Sequence, residues 1–167
     1  MSKAAVKAPL RPARITPAGP SDMDAVRALF REYEKSVAAD AGQCFADFDK
    51  ELASLPGDCA PPGGGILLAR DRAGAALGVV AFHRIEPGTA EIKRLYLKSD
   101  HRGRGDGRRL MDAALRACAS AGYTAVRLST VPSAMRAADA LYQRMGFSAT
   151  PAYRGAACAA QCYETSL

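Results

Sequence analysis

With 167 residues, 49% of them apolar and 24% charged, the chain is long enough for one domain with a full core and too short for two, and its composition excludes the disordered and fibrous classes. No run approaches the ~20 consecutive apolar residues of a membrane span, and the N-terminus lacks the apolar stretch of a signal peptide, so the expected compartment is the cytoplasm. A net charge of +6, concentrated in the N-terminal tail and around residues 102 to 109, asks for an anionic partner without choosing among nucleic acid, membrane and a phosphorylated ligand.

Residues 1 to 12 (MSKAAVKAPLRP) have no apolar period and are expected to form a flexible basic tail ahead of a single domain over 13 to 167. A short strand over Arg14 to Thr16 opens that domain. Pro20 and Ser21 then signal a helix start, with Ser21 as N-cap and Asp22 and Asp24 in the first turn, where the helix dipole favours negative charge. Val26, Leu29, Phe30, Tyr33 and Val37 fall on one helical stripe, and the helix is expected to end near Asp40 to Gly42. Phe45 to Leu55 predicts a shorter second helix, and PGDCAPPGGG after it holds too much Pro and Gly for regular structure. Ile66 to Arg70 and Ala75 to Arg84 are apolar runs joined by Asp71-Arg72-Ala73-Gly74, a hairpin signal. Ala90 to Leu97 predicts the next strand, with Glu91, Lys93, Leu95 and Leu97 on one face and Ile92, Arg94 and Tyr96 on the other.

Leu110, Met111, Ala114, Leu115 and Cys118 recur at helical spacing, and Gly122 stops that helix. Thr124 to Thr130 reads as a strand, Ala134 to Met145 as a helix closed by Gly146, and Ala159 to Thr165 as a last strand. Helices alternating with strands in this order imply a mixed sheet covered by helices, with parallel neighbours across the strand-helix-strand unit in the middle.

The most informative segment is Arg102-Gly103-Arg104-Gly105-Asp106-Gly107-Arg108-Arg109, between an apolar strand and an amphipathic helix. Alternate glycines let the backbone bend sharply, and the helix start offers unpaired N–H groups at a positive dipole end, which together make a phosphate site. A P-loop needs Lys followed by Ser or Thr after the last glycine, and a dinucleotide fingerprint needs G-x-G-x-x-G. This G-x-G-x-G turn, followed by Arg, is neither. Disordered RGG segments that bind RNA are repeated, whereas this one occurs once between regular elements.

The turn resembles the Arg/Gln-x-x-Gly-x-Gly/Ala pyrophosphate loop of the GNAT superfamily of N-acetyltransferases, beginning at Arg102. EIKRLYLKSDHRGRGDGRRLM is similar to that family's strand, loop and helix in one piece, and AADALYQRMGF to its later helix end. The resemblance covers about residue 13 to the end. It implies an α/β (mixed α+β) acyl-CoA N-acyltransferase fold, with a central mixed sheet of six to seven strands flanked by about four helices. It further implies acetyl-CoA as co-substrate, an amine acceptor, and cofactor contacts from Leu95, Tyr96, Leu97, Arg102, Gly103, Arg104, Gly105, Asp106, Gly107 and Arg108. In the family the strand matching Leu95 to Leu97 splays from its neighbour and pairs with the pantetheine arm. Many relatives dimerise, so a homodimer is an expectation.

Two residues depart from the family pattern. Asp106 stands where relatives mostly carry an apolar residue, and its carboxylate repels a diphosphate unless it points away. Met135 stands where many relatives carry a cofactor-contacting Asn.

Moving acetyl from sulfur to nitrogen needs a neutral amine, a polarised carbonyl and a proton for the thiolate. The resemblance places Tyr142 near the sulfur, as an acid of basicity comparable to the thiolate or as a packed core tyrosine. It places Glu91 where some relatives carry a general base; the other reading is a salt bridge to Lys93, Arg94 or a neighbouring strand. Tyr33, Glu34, the 45 to 65 segment and Tyr153 are candidates for the acceptor pocket.

Five cysteines at irregular spacings (Cys44, Cys59, Cys118, Cys158, Cys162) fit neither a disulfide framework nor a zinc site, and two histidines give metal chemistry little material. The expected reaction is acetylation of a small primary amine in a ternary complex. Other readings are acetylation of a protein N-terminus or lysine, a non-catalytic acyl-CoA-binding module, and nucleic-acid binding, which predicts steep salt dependence.

Overall fold

The computed structural model describes residues 11–41, 47–153, 156 and 160–167. Seven strands form one sheet in the order β1-β2-β3-β4-β5-β7-β6. They are β1 (Arg14–Pro17), β2 (Gly65–Arg70), β3 (Ala76–Glu86), β4 (Thr89–Leu97), β5 (Ala125–Thr130), β6 (Ser148–Thr150) and β7 (Gln161–Ser166). The helices are α1 (Met23–Ala41), α2 (Phe48–Ser54), α3 (Asp106–Ser120) and α4 (Arg136–Arg144). All neighbouring pairs are antiparallel except β4 and β5, which the α3 crossover makes parallel as expected. The short edge strand β6 is absent from the sequence reading, because three residues carry no measurable period.

Each face of the sheet buries its own core. Leu110, Met111, Ala114 and Cys118 of α3 and Tyr142 of α4 pack on Val80, Phe82, Ile92, Val126 and Leu128. On the opposite face Val26, Leu29 and Phe30 of α1 and Phe48 and Leu52 of α2 pack on Ile66, Leu68, Val79 and Ala81. Phe30, Leu68 and Leu110 are fully buried, so truncating any of them to Ala costs about 2–5 kcal/mol.

The start of α1 differs from the reading in which Ser21 is the N-cap. A 3-10 turn over Pro20–Asp22 precedes the α-helix, and the carboxylate of Asp22 accepts the Gly19 N–H at 2.8 Å. Asp22 carries the cap because it reaches back three residues to the free donor, a bond that also draws its pKa below the ordinary value. The Pro- and Gly-rich stretch after α2 holds a 3-10 turn at Gly57–Cys59 and is tied to the sheet's far side by the Tyr123 hydroxyl, which donates to Gly63 O.

The expected two-face alternation along β4 is also corrected. Ala81 pairs with Lys93 but Val79 pairs with Tyr96, so β4 carries one extra residue there. Arg94 takes up the bulge at φ +58°. One inserted residue reverses the parity. Ala90, Ile92, Leu95 and Leu97 consequently face α3, whereas Tyr96 packs with the α1 and α2 core, on the side where Glu91 meets His83.

Candidate active site

The site begins where β4 and β5 stop pairing. Their ladder holds Thr89–Ala125, Ala90–Val126 and Glu91–Arg127, after which β5 continues with β7 and β4 only with β3. The edge of β4 that faces β5 from Ile92 onward therefore has no β5 ladder partner for its N–H and C=O groups.

Beside this edge lies a cavity of about 420 Å³. Leu95, Tyr96 and Leu97 line it from β4, Arg102, Gly103, Gly105, Gly107 and Arg108 from the turn and first residues of α3, and Tyr33, Ser36 and Val37 from α1. Ala134 through Ala138, Leu141 and Arg144 complete it from the start and inner face of α4. Of the residues expected to contact a cofactor, all but Arg104 and Asp106 are in this wall.

The turn presents its backbone to the cavity. Among the described residues no amide from Gly103 to Arg108 donates a hydrogen bond; the first that does is Arg109, to Gly105 O at 3.0 Å. Gly103 and Gly105 lie at φ +75° and +82°, with nothing within 4 Å of an added Cβ, so backbone conformation rather than space requires glycine. Gly107 is different. Its backbone is ordinary helix, and a Cβ there meets only Leu141 Cδ2 at 3.9 Å, so its bareness keeps the helix start open toward the cavity.

Arginines frame that opening. Arg102 donates through Nε to Leu97 O at 2.8 Å and lies 5.5 Å from the centre of the Tyr96 ring, which ties the turn to the end of β4. Arg104 braces the turn from outside by donating to Asp100 O at 2.9 Å. Arg108 pairs with Asp112 at 3.2 Å. Arg136 and Arg144 of α4 line the same cavity and were missed by sequence reasoning, since nothing in their spacing shows that α4 lies against the start of α3.

Asp106 points away from all of this. It is 3% exposed, and its Oδ1 accepts the Ala13 N–H at 3.2 Å and Arg109 Nη1 at 2.9 Å. The repulsion expected of a carboxylate in a phosphate turn is thereby removed, and the residue anchors the chain just before β1. Met135 sits at the N-terminus of α4, with its sulfur 3.6 Å from the Tyr33 hydroxyl.

Tyr142 and Glu91 lie outside the cavity wall. The Tyr142 ring packs against Phe147 and Tyr163, at centroid distances of 5.9 and 6.3 Å, beneath the helix that carries Ala138 and Leu141. Burial pushes its pKa well above the ordinary phenol value, which keeps the phenol protonated at neutral pH. Glu91 is 7% exposed and bonded to His83 and Tyr153, each at 2.8 Å. Lys93 and Arg94 pair instead with Glu51 of α2, at 3.1 and 2.5 Å.

The described cysteines are buried. Burial pushes the Cys59 thiol up to about 11 and that of Cys118 to about 12, which keeps both protonated at neutral pH. Cys44 and Cys158 lie outside the described residues.

A parted parallel strand pair, a cavity along the freed edge and a row of unpaired amides thus meet at the start of α3. Residues 23–147 match the model of the acetyltransferase (GNAT) family. An uncharacterized N-acetyltransferase of Schizosaccharomyces pombe is 36% identical over 135 residues, covering 80% of this chain and 81% of the relative. Among solved structures, PaiA N-acetyltransferase from Thermoplasma acidophilum in complex with coenzyme A superposes with a TM-score of 0.72 at 18% identity, over 92% of this chain and 98% of that one. A GNAT superfamily phosphinothricin acetyltransferase from Sinorhizobium meliloti in complex with AcCoA gives 0.70 at 18% identity, over 93% and 88%. At such identities the structural likeness is one of fold. The chain belongs to the acetyltransferase (GNAT) family and is an acyltransferase.

Proposed function

We propose that the protein transfers the acetyl group of acetyl-CoA to the primary amine of a small molecule, by direct attack within a ternary complex. The observation that carries this reading is the run of unpaired amides from Gly103 to Arg108 at the start of α3, beside the freed edge of β4. Amides converging at a positive helix end, with Arg102, Arg108, Arg136 and Arg144 around them, fit a diphosphate. The apolar wall of Leu95, Leu97, Val37, Ala138 and Leu141 fits an uncharged arm. Coenzyme A is bound in the Thermoplasma structure and AcCoA in the Sinorhizobium one, which supports the same class of ligand here.

When bound, acetyl-CoA supplies an activated acyl carbon. The protein's own part is to orient it and to manage protons. Leu95 to Leu97 offer backbone N–H and C=O groups to the arm and a donor to the carbonyl oxygen. Glu91 accepts the proton that the amine must lose. Tyr142, protonated throughout the neutral range, offers its O–H to sulfur as negative charge develops there. Since the buried phenol holds its proton more firmly than a free one, this is a stabilising hydrogen bond rather than a complete transfer.

A small acceptor is supported by the lack of an acidic cluster in the sequence for a polycationic one. Cytoplasmic location and a homodimer stay expectations. Among the described residues no helix is long and apolar enough to cross a membrane. Release of CoA thiol from acetyl-CoA, followed across small primary amines and peptides with free N-termini or lysines, tests the reading. Turnover with small amines supports it, turnover with peptides alone moves the acceptor class, and turnover with none overturns catalysis.

A further inference from the structure

Glu91 is held at both of its carboxylate oxygens, and the holders come from different parts of the chain. His83 is its partner across the β3–β4 ladder, and His83 Nε2 lies 2.8 Å from Glu91 Oε2. Tyr153, which follows β6, donates its hydroxyl to Glu91 Oε1 at 2.8 Å. The Arg127 guanidinium carbon lies 5.9 Å from the centre of the Tyr153 ring. The side chains of His83 and Glu91 are 16% and 9% exposed, so the contact is shielded from water.

A glutamate has three freely turning side-chain bonds, and a proton acceptor works only when an oxygen lone pair is aimed at the proton it takes. Two donors, one on each oxygen, stop that rotation. The identity of the donors matters as well, because a cation beside a carboxylate favours its charged form and weakens it as a base. Lys93 and Arg94, the nearest cations in sequence, are tied to Glu51 instead. The Tyr153 phenol is raised above its ordinary value by burial and then by the charge of Glu91, so it stays a donor throughout the neutral range.

We infer that His83 and Tyr153 are positioning residues for Glu91, one fixed in the sheet and one brought over it by the segment that follows β6. The inference rests on the reading of Glu91 as proton acceptor. Its consequence is that the aim of the base depends on the placement of Tyr153.

Two measurements on the full chain test it. With only two histidines in the sequence, ¹⁵N-histidine NMR resolves His83 from His101, the assignment coming from His83→Gln. A hydrogen-bonded Nε2–H signal of His83 in slow exchange, lost in Glu91→Ala, is expected; its absence in the unaltered protein, or its persistence in Glu91→Ala, overturns the pairing. The second is CoA-thiol release with ethanolamine, phenethylamine, spermidine and glutamate as acceptors. His83→Leu and Tyr153→Phe are expected to lower kcat about tenfold with KM for acetyl-CoA unchanged, and Glu91→Gln about a hundredfold. His83→Gln, which keeps an N–H donor at the end of its side chain, restores most of the rate.

Leucine and phenylalanine variants as fast as the unaltered enzyme, alongside a slow Glu91→Gln, leave the base in place and overturn its positioning. A glutamine variant as slow as the leucine one overturns the donor role of His83. An unaffected Glu91→Gln, or no turnover with any of the four amines, overturns the reading of Glu91 on which the inference stands. Thermal melts of each variant separate loss of fold from loss of rate.

Discussion

Glu91 and Arg127 are the last two residues at which β4 and β5 run as partners, and the cavity of the proposed site opens past them. Arg127 bridges strands on both sides of that pair. Its Nε lies 2.5 Å from Glu164 of β7, and its Nη1 lies 3.0 Å from Glu86 at the end of β3. On the opposite strand, the extra residue at Arg94 turns the remainder of β4 so that Leu95 and Leu97 rejoin the α3 face. The ladder thus ends between an ion-paired β5 and a bulged β4.

The glycines of the turn separate stability from binding. Gly105→Ala forces a side chain into the left-handed region and is expected to cost about 1–2 kcal/mol in urea denaturation. Gly107→Ala, in ordinary helical conformation with open space around its Cβ, is expected to leave stability unchanged or raise it by about 0.5 kcal/mol while weakening CoA binding about tenfold. Equal CoA affinity in Gly107→Ala contradicts the placement of the ligand over this helix start.

Asp106→Ala removes the partner of the buried Ala13 N–H and of Arg109. A loss of about 1–3 kcal/mol follows, seen as a drop of several degrees in Tm, with CoA affinity within about twofold of the unaltered protein. A large change in affinity at unchanged Tm indicates that the carboxylate faces the ligand after all.

For Tyr142→Phe the expected result is a kcat about tenfold lower, the worth of one hydrogen bond in the transition state, with calorimetric CoA affinity unchanged. An unchanged kcat makes Tyr142 a packing residue between Phe147 and Tyr163.

Glu51 gives a pH dependence with a definite sign. Burial acts to raise its pKa, but the hydrogen bonds and charges of Arg94 and Lys93 outweigh burial and leave it below the ordinary value of 4.5. A carboxyl depressed in the folded state contributes stability in full above its unfolded pKa, and that contribution is lost as pH falls through the folded value. Urea midpoints compared at pH 7 and pH 3 should therefore fall less in Glu51→Gln than in the unaltered protein. The variant is expected to be less stable at pH 7 by roughly 1–3 kcal/mol, because Arg94 loses a half-buried charged partner.

Much of this was legible in the sequence, for physical reasons. The apolar stripe from Val26 to Val37 and the strand-turn-helix from Ala90 to Cys118 are periodic over enough residues to read, and the first two glycines of the G-x-G-x-G turn mark left-handed backbone that favours glycine. What sequence could not show is what depends on partners far along the chain. The bulge at Arg94 follows from pairing with β3, and the orientation of Asp106 from Ala13, 93 residues away. The bonds to Glu91 come from His83, 8 residues before it, and from Tyr153, 62 residues after it. Arg136 and Arg144 enter the site only because α4 packs beside the first turn of α3.

The central claim is that the amides of Gly103 to Arg108 hold the diphosphate of coenzyme A. Isothermal titration with CoA and, separately, with pantetheine, which lacks the diphosphate, tests it most directly. The account predicts saturable heat from CoA and at least about a hundredfold weaker binding of pantetheine, equivalent to roughly 2.8 kcal/mol carried by the nucleotide and its phosphates together. Equal affinities for the two, or no heat from CoA at millimolar concentration with the folded protein, contradict it.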